Sequence, residues 1–376
     1  MKVSKLELRQ LQHLVIGSSI LSTGGGGSPS NAMKLAREIF SLKRTPKLVD
    51  PEELKKTDIV FSPGDVGGGI DLEEESRFQR VYGTAIPTKW KKWPLEQWAP
   101  SAVKELSKYL RKNANAFLST ELGPGGMMSV LKIATIWGKP MIDGDTVGRA
   151  VPEMTMSKLY INHSKIIAGA STSHFGDVLL LERTKNLRRL EDIARSFSIS
   201  AGGGVGLAIA IDGRTAKRSV IRNTATKCID LGEKVSNSDT SDKMVKSIVD
   251  STNARLLFVG RNIKVQKEPK RGHLIGAYLF KGTGDYKGHS FKVWFKNENH
   301  ISWFDEKFSA TSPDIISIFD PKLRMGVWNW DPVPKDRDLY IFGIPCDKRW
   351  RSEVGLAVLG PKAFGFYTDY KPVEKL

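Results

Sequence analysis

Apolar residues in the first forty positions recur every three or four residues, which is the spacing of one buried helix face. The pattern predicts a helix that ends near Ser22 and a second helix that begins after Ser28. Ser28 can cap the second helix, and Pro29 suits its first turn. The apolar positions of the two helices are Leu8, Leu11, Leu14, Val15, Leu21, Ala32, Leu35, Ala36 and Ile39.

Three short apolar runs follow, at residues 57–61, 116–120 and 140–142, and each is short enough to be a strand. A helix is predicted from about Met127 to Trp137, where Gly138 ends it. Strands that alternate with helices are typical of a parallel sheet. We therefore predict an α/β N-terminal domain with a short, mainly parallel sheet over residues 1–170.

The pattern changes in the second half of the chain. Helical spacing is seen at residues 187–197, and a helix is predicted from about Thr215 to Leu231. Strand-like runs then dominate, so we predict a β-rich α+β C-terminal domain over residues 171–376. One option is that the chain end packs back on the first domain. The strand-like runs are residues 263–265, 278–280, 291–296, 315–319 and 339–342.

Glycine-rich loops that carry carboxylates follow all three predicted strands of the first domain. Ligands of open α/β sheets bind outside the carboxyl ends of the strands, so these loops predict one crevice. The Gly24–Gly27 loop precedes a helix N-terminus and offers backbone N–H groups, although a plain connection between helices is the alternative. It is not a P-loop, because no Gly-Lys-Ser/Thr follows. The candidate ligand-binding glycines are Gly24, Gly25, Gly26, Gly27, Gly67 and Gly68, and the loop carboxylates are Asp65, Glu121, Asp143 and Asp145.

Residues 143–153 concentrate charge directly after a predicted strand. Three carboxylates and one guanidinium occur in eleven residues: Asp143, Asp145, Arg149 and Glu153. Gly144 and Gly148 let the backbone bend and approach a ligand closely. Buried carboxylates need partners, so this cluster is interpreted as the floor of a site rather than as a folding device.

Composition limits the classes of function. The 376 residues are 40% hydrophobic and 26% charged, as in an ordinary globular protein, and no apolar run reaches membrane-spanning length. The first residues lack the apolar core of a signal peptide, so a cytoplasmic location is expected. Cys228 and Cys346 are too far apart in sequence to suggest a disulfide framework or a zinc site.

The formal net charge is +17, but the basic residues are dispersed and match no nucleic-acid module. A solvated basic surface is favoured over nucleic-acid binding, and carboxylates in the crevice would repel phosphates. Trp90, Trp93 and Trp98 lie among lysines and prolines. A loop packed on the core is favoured there over a lid or a partner contact.

Several segments together resemble the S-methyl-thiohydantoin desulfurase family, in family order and over nearly the whole chain. They are GGGGSP (24–29), MIDGDTVGRAVPE (141–153), FKNENHISW (295–303), SPDIISIFD (312–320) and GPKAFGFYTDYKPV (360–373). Some members of that family lie beside hydantoinase or oxoprolinase genes. This chain departs from the family after Glu121, where glycines and methionines stand in place of an asparagine, and the loop at residues 63–69 also differs. A different ring substrate, or a retained fold with changed chemistry, is open.

The resemblance implies water attack on a thiohydantoin- or hydantoin-like cyclic amide. Asp145 or Asp143 would then be the base, and Arg149 would stabilise the anion or bind a substrate carboxylate. Glu121 and Glu153 would orient the water or the ring N–H groups. In the polar cluster at residues 297–299, Asn299 would reach the ring; a simple turn, or a bridge between the domains, is the alternative.

Other readings remain open. Glu121, Asp143 and Asp145, with His163 or His174, could hold a divalent metal, although no zinc-type histidine spacing is present. The chain could instead be a non-catalytic subunit of a hydantoinase- or oxoprolinase-type complex, or a ligand-binding regulator that contacts nucleic acid. A small cyclic amide substrate, a homo-oligomer and no membrane partner are expected.

Overall fold

The structure is a computed structural model, and it describes residues 3–67, 76–77, 80, 98–270 and 273–376. Over these residues the chain forms two eight-stranded sheets, a two-stranded ribbon and flanking helices. The helices are α1 (Leu8–Leu21), α2 (Pro29–Phe40), α3 (Trp98–Leu110), α4 (Pro124–Ile136), α5 (Lys158–Ile161), α6 (Leu187–Ser200), α7 (Gly213–Ser219), α8 (Thr224–Ser236), α9 (Ser241–Thr252) and α10 (Glu353–Leu359).

The first sheet has the strand order β1-β2-β5-β4-β3-β9-β7-β8. The pairings that join β2, β5, β4 and β3 are parallel, and the other pairings are antiparallel. Because β3, β4 and β5 run parallel, the loops that follow them leave the same edge of the sheet. The strands are β1 (Val3–Lys5), β2 (Lys47–Val49), β3 (Ile59–Gly67), β4 (Ala116–Phe117), β5 (Met141–Ile142), β7 (Ala168–Thr172), β8 (Val178–Leu181) and β9 (Gly204–Asp212).

Strand β9 extends this sheet beyond residue 170, where the sequence pattern placed the domain boundary. Its residues Gly204–Ile211 are all buried and are rich in glycine and alanine. A strand that is buried on both faces shows no apolar–polar alternation, so the sequence pattern does not predict the strand.

The helix predicted from about Thr215 to Leu231 is split into α7 and α8. The break is β10 (Ile221–Arg222), which pairs antiparallel with β6 (Gly144–Asp145). Asn223 then adopts a left-handed conformation before α8 begins. Helical periodicity continues across this break, which is why the sequence suggested one helix; the break itself holds the backbone of Asp145.

The second sheet is antiparallel throughout, with the order β15-β14-β13-β12-β11-β18-β16-β17. Aromatic side chains fill much of its core, among them Phe258, Tyr278 and Phe291. The predicted fold class, an α/β first domain and a β-rich second domain, is confirmed. The strands are β11 (Arg255–Lys270), β12 (His273–Gly282), β13 (Ser290–Lys296), β14 (Glu298–Phe304), β15 (Lys307–Thr311), β16 (Ile315–Asp320), β17 (Met325–Gly326) and β18 (Leu339–Ile344).

Helix α1 belongs to the cores of both domains. Leu11 and Leu14 lie in the core of the first domain, whereas Ile16 and Ile20 pack in a cluster with Phe319 of the second. The chain end also reaches the first domain, because the Trp350 indole N–H donates to the Val147 carbonyl at 2.6 Å. The two domains are therefore joined by apolar packing close to residues 141–153.

Cys228 is buried, Cys346 is half-buried, and both are free thiols. Of the helices in the described part of the chain, none has both the length and the apolar character needed to cross a bilayer.

Candidate active site

Hydrogen bonds join the loop that follows β4 to the loop that follows β5. The Thr146 N–H donates to the Thr120 carbonyl at 3.0 Å, and the Leu122 N–H donates to the Arg149 carbonyl at 3.3 Å. The Val151 N–H donates to Glu121 Oε2 at 2.7 Å. These bonds bring Glu121 and the 145–151 segment side by side, as the parallel strands require.

The glycine loop packs directly on the start of α4. The Gly26 carbonyl accepts hydrogen bonds from Gly125 N and Gly126 N, at 2.9 and 3.2 Å. These two N–H groups lie in the first turn of α4, where a helix has no acceptor of its own. Gly26 has φ of +69°, and a Cβ there would overlap Gly123. The loop is rich in glycine because its backbone contacts the backbone at the start of α4. The free N–H groups of α4 donate to this loop.

Asp145 is fully buried, and its two oxygens differ in their hydrogen bonds to the part of the chain that the structure describes. Oδ1 accepts from Val147 N at 2.7 Å and from Gly148 N at 2.6 Å. Oδ2 has no hydrogen-bond partner among the residues that the structure describes. Burial raises the pKa of Asp145 to about 6, although the Gly148 and Val147 N–H groups and the neighbouring Thr224 hydroxyl favour the charged form. At neutral pH this carboxyl group is therefore mostly ionised, with one oxygen free.

Glu121, unlike Asp145, favours its neutral form. Desolvation raises the pKa of Glu121 to about 8, and the negative charge of Asp145 adds to the rise against the Val151 N–H group and Arg149. Glu121 is therefore mostly protonated at neutral pH. It is also half-buried, as are Gly26 and Gly27, so this is the side on which the cluster reaches the surface.

Arg149 joins the two domains. It is buried, and its Nε donates to the Ala150 carbonyl at 3.1 Å. Nη1 donates to the carbonyls of Pro313 and Asp314 at 3.2 and 2.9 Å. Nη2 donates to the Asn299 carbonyl at 2.9 Å and lies 3.4 Å from His300 Nδ1. All five guanidinium N–H groups are thereby engaged, which leaves none for the substrate carboxylate or anion expected from the sequence.

Asn299 is also engaged by the protein. Its Nδ2 donates to the Ile316 carbonyl at 2.9 Å, and its Oδ1 accepts from Asn329 Nδ2 at 3.0 Å. Its backbone N–H donates to the Thr23 carbonyl at 2.7 Å. Asn299 therefore fixes the glycine loop to the second sheet, in line with the bridging alternative, and its side-chain amide does not face a ligand.

Glu298 is the carboxylate that the second domain contributes to this cluster. It is 3% exposed, and Oε2 has no hydrogen-bond partner within the described residues. A Cβ on Gly25 would overlap Glu298 Oε1, so the carboxyl group lies against the glycine loop. Burial raises the pKa of Glu298 well above its usual range, and the neighbouring Glu121 adds to this effect. The sequence placed Glu298 in a polar cluster but gave no signal of its burial.

Comparison with known families assigns the chain. A model described as "S-Me-THD-like, N-terminal domain" matches residues 9–183, and one described as "S-Me-THD-like, C-terminal domain" matches residues 184–373. The chain belongs to the S-Me-THD-like family. S-Me-THD denotes S-methyl-thiohydantoin desulfurase, so the resemblance read from the sequence is confirmed at the level of the family.

A solved member of the same fold supports the S-Me-THD-like architecture. A crystal structure of a protein from Chromobacterium violaceum is 19% identical to this chain and has a TM-score of 0.75. The match covers 98% of this chain and 100% of that one. At this identity the similarity shows the fold alone. No curated protein matches the chain.

Two acids of residues 141–153 point away from the cluster formed by Asp145, Glu121 and Glu298 in this S-Me-THD-like protein. Asp143 accepts from the Thr226 N–H at 3.0 Å and from the Thr226 hydroxyl, and so it satisfies the N-terminal turn of α8. Glu153 is ion-paired with Lys296 of β13. Burial opposes ionisation of Glu153, but the Lys296 contact leaves its pKa lowered. The charge pattern alone could not assign these directions, because they are set by partners in distant segments, Thr226 for Asp143 and Lys296 for Glu153.

Gly67 lies away from the glycine loop, in the β3–β9 ladder opposite Gly204. Gly68 falls outside the described residues, as do Trp90 and Trp93. Across residues 3–67, 98–270 and 273–376, His, Cys, Asp and Glu form no group of three or more that could hold a metal ion. His163 is exposed, and His174 is buried beside Trp98 and Phe175. Of the acids considered as metal ligands, Glu121 and Asp145 are neighbours, whereas Asp143 bonds to Thr226.

Proposed function

We propose that this S-Me-THD-like protein is a hydrolytic desulfurase that acts on an S-methyl-thiohydantoin or a closely related cyclic amide. One observation carries the proposal. Asp145 and Glu121 are neighbouring carboxyl groups whose surroundings move their pKa values apart, to about 6 and about 8. Such a pair supplies a base and an acid at the same pH, which hydrolysis requires.

The first step is water attack at C2, the ring carbon that bears the methylthio group. As the water oxygen bonds to C2, one water proton passes to Asp145 Oδ2, the oxygen that has no hydrogen-bond partner among the described residues. The C2=N3 electron pair moves to N3, and Asp145 then returns the proton to N3. The product of this step is a neutral tetrahedral intermediate.

In the second step the C2–S bond breaks and the C2 carbonyl forms. Methanethiolate takes the proton of Glu121 and leaves as methanethiol. The hydroxyl proton released as the carbonyl forms replaces the proton that Glu121 lost. The sum is substrate plus water giving hydantoin plus methanethiol, with both carboxyl groups restored.

The exposed side of the cluster supports this direction of approach. Gly26, Gly27 and Glu121 are partly exposed, whereas Asp145 and Arg149 are buried. The substrate would therefore lie against Gly26 and Gly27, with Glu121 at its edge and Asp145 behind it.

The test is thiol release from a panel of S-methyl-thiohydantoins and thiohydantoins, with and without added divalent metal. Release by the wild type and its loss in Asp145→Asn is the expected result. Asp212→Asn is a matched control, because Asp212 caps α7 through the Thr215 N–H group. If no panel member releases thiol, the non-catalytic subunit reading replaces this proposal, and capture of a hydantoinase- or oxoprolinase-type partner becomes the decisive experiment.

A further inference from the structure

The residues assigned so far include no donor that stabilises the negative charge formed on the ring in the proposed reaction. When water attacks C2, negative charge develops on N3 and is shared with the carbonyl oxygen at C4 of the ring. A preorganised donor at such a position is commonly the largest single contribution to catalysis. Arg149 cannot be this donor, because backbone carbonyls and His300 already occupy its N–H groups.

Glu298 is a buried carboxyl group that lies beside the glycine loop and has no role in the reaction steps above. It is 3% exposed, and its Oε2 has no hydrogen-bond partner among the described residues. Its carboxyl group touches Gly25, so it lies one residue from the partly exposed Gly26–Gly27 backbone. Within the described part of the chain, no ion pair of 4.0 Å or less involves Glu298.

The physical state of such a group follows from its surroundings. An ionised carboxylate without partners is very costly in a protein interior, so the group takes up a proton instead. Three charged or titratable groups act on it: Glu121 of the loop after β4, Arg149 of the 141–153 segment, and Lys296 of β13. Glu121 disfavours ionisation of Glu298, whereas Arg149, Lys296 and the backbone N–H of Glu298 favour it, and burial outweighs these three groups in setting the pKa. The surroundings of Glu298 therefore favour its neutral carboxylic acid form.

We propose that Glu298 is a further catalytic residue of this site: as a neutral acid it donates an O–H hydrogen bond to the ring oxygen on which negative charge develops. Its proton stays on Glu298 throughout, so no bond to Glu298 forms or breaks. The inference rests on the proposed hydrolysis for its kinetic part. It makes the second domain a chemical partner in the reaction, because β14 supplies the donor.

The kinetic test compares Glu298→Gln with Glu298→Leu. Glutamine is neutral, has nearly the same shape and still offers N–H donors, whereas leucine offers none. We expect Glu298→Gln to keep kcat within about tenfold of the wild type, and Glu298→Leu to lose about 10²–10³-fold. Full activity in Glu298→Leu would overturn the proposal. So would a Glu298→Gln variant as slow as Glu298→Leu with an unchanged melting temperature, since ionisation or proton transfer would then be required.

A second arm needs no turnover. Infrared spectra of the unliganded protein near pH 7 should contain the carbonyl band of neutral carboxylic acids, and Glu298→Gln should remove part of it. Glu121→Gln should remove a further part and serves as the comparison. An unchanged band in Glu298→Gln would show that Glu298 is ionised and would end the proposal.

Hydantoin itself separates failure of this inference from failure of the proposed function. If the wild type releases no thiol, the desulfurase proposal fails, and calorimetric binding of hydantoin then decides whether Glu298 is a donor to a cyclic imide. Binding kept in Glu298→Gln and weakened at least tenfold in Glu298→Leu supports the donor. Equal binding by both variants and the wild type, or absence of binding by all three, refutes it.

Discussion

Asp143 and Asp145 flank Gly144, but the first serves the N-terminal turn of α8 and the second belongs to the buried acid cluster. At α8, both oxygens of Asp143 accept hydrogen bonds from Thr226. In the cluster, Asp145 has two donors on Oδ1 and none on Oδ2 within the described residues. A carboxylate oxygen without a hydrogen-bond partner, rather than the presence of a carboxylate, therefore identifies the candidate catalytic aspartate.

The largest expected effect comes from replacing the carboxylates of Asp145 and Asp143 in turn. Asp145→Asn should lower kcat about 10²–10⁴-fold, because a general base is lost, while its amide oxygen can still accept from Val147 and Gly148. Asp143→Asn should change kcat by less than about threefold, because no reacting group is removed. Steady-state thiol release measures both. Equal losses in the two variants would break the comparison.

The next effect concerns stability. Arg149→Met removes the donors of four backbone carbonyls, so we expect the free energy of unfolding to fall by about 3 kcal/mol or more. Asp143→Ala, which removes only the contacts to α8, should cost about 1 kcal/mol. Urea denaturation of both variants gives the two values. A loss in Arg149→Met no greater than that in Asp143→Ala would contradict the role of Arg149 as the link between domains.

The smallest effect is the dependence on pH. The base must be ionised and the acid protonated, so kcat/KM should rise through pH of about 6 and fall through pH of about 8. Because the pKa of Glu121 is raised in the folded state, its contribution to stability is complete below about pH 4 and is lost as pH rises towards about 8. Glu121→Gln should therefore weaken the decline in stability over that range. Denaturation at several pH values checks this slope, and an unchanged slope would contradict the burial of an acidic proton on Glu121.

Much of the fold could be predicted because its signals are local. The apolar runs at β3, β4 and β5 and the caps of α2 are written in consecutive residues, and parallel strand order then brings Glu121 to Asp145. Burial of β9 and the split between α7 and α8 depend on pairing with distant segments. No local pattern carries that information.

The same contrast between local and distant information applies to the candidate site. Residue types and glycines predicted a cluster of acids, but they could not show where each side chain points. Arg149 was expected to face a ligand and instead binds carbonyls about 150 residues away. Glu298 lies in a segment that resembles a turn, and its burial depends on the contact with Gly25.

The contacts of Arg149 also affect when the first domain can finish folding during synthesis. Its acceptors at Asn299, Pro313 and Asp314 leave the ribosome long after Arg149 itself. Until then the first domain holds a guanidinium without its native acceptors, which disfavours closure of its interior. We expect a nascent chain that stops before residue 299 to remain open around β6, so that the reaction centre forms only after residues 299–314 have been made.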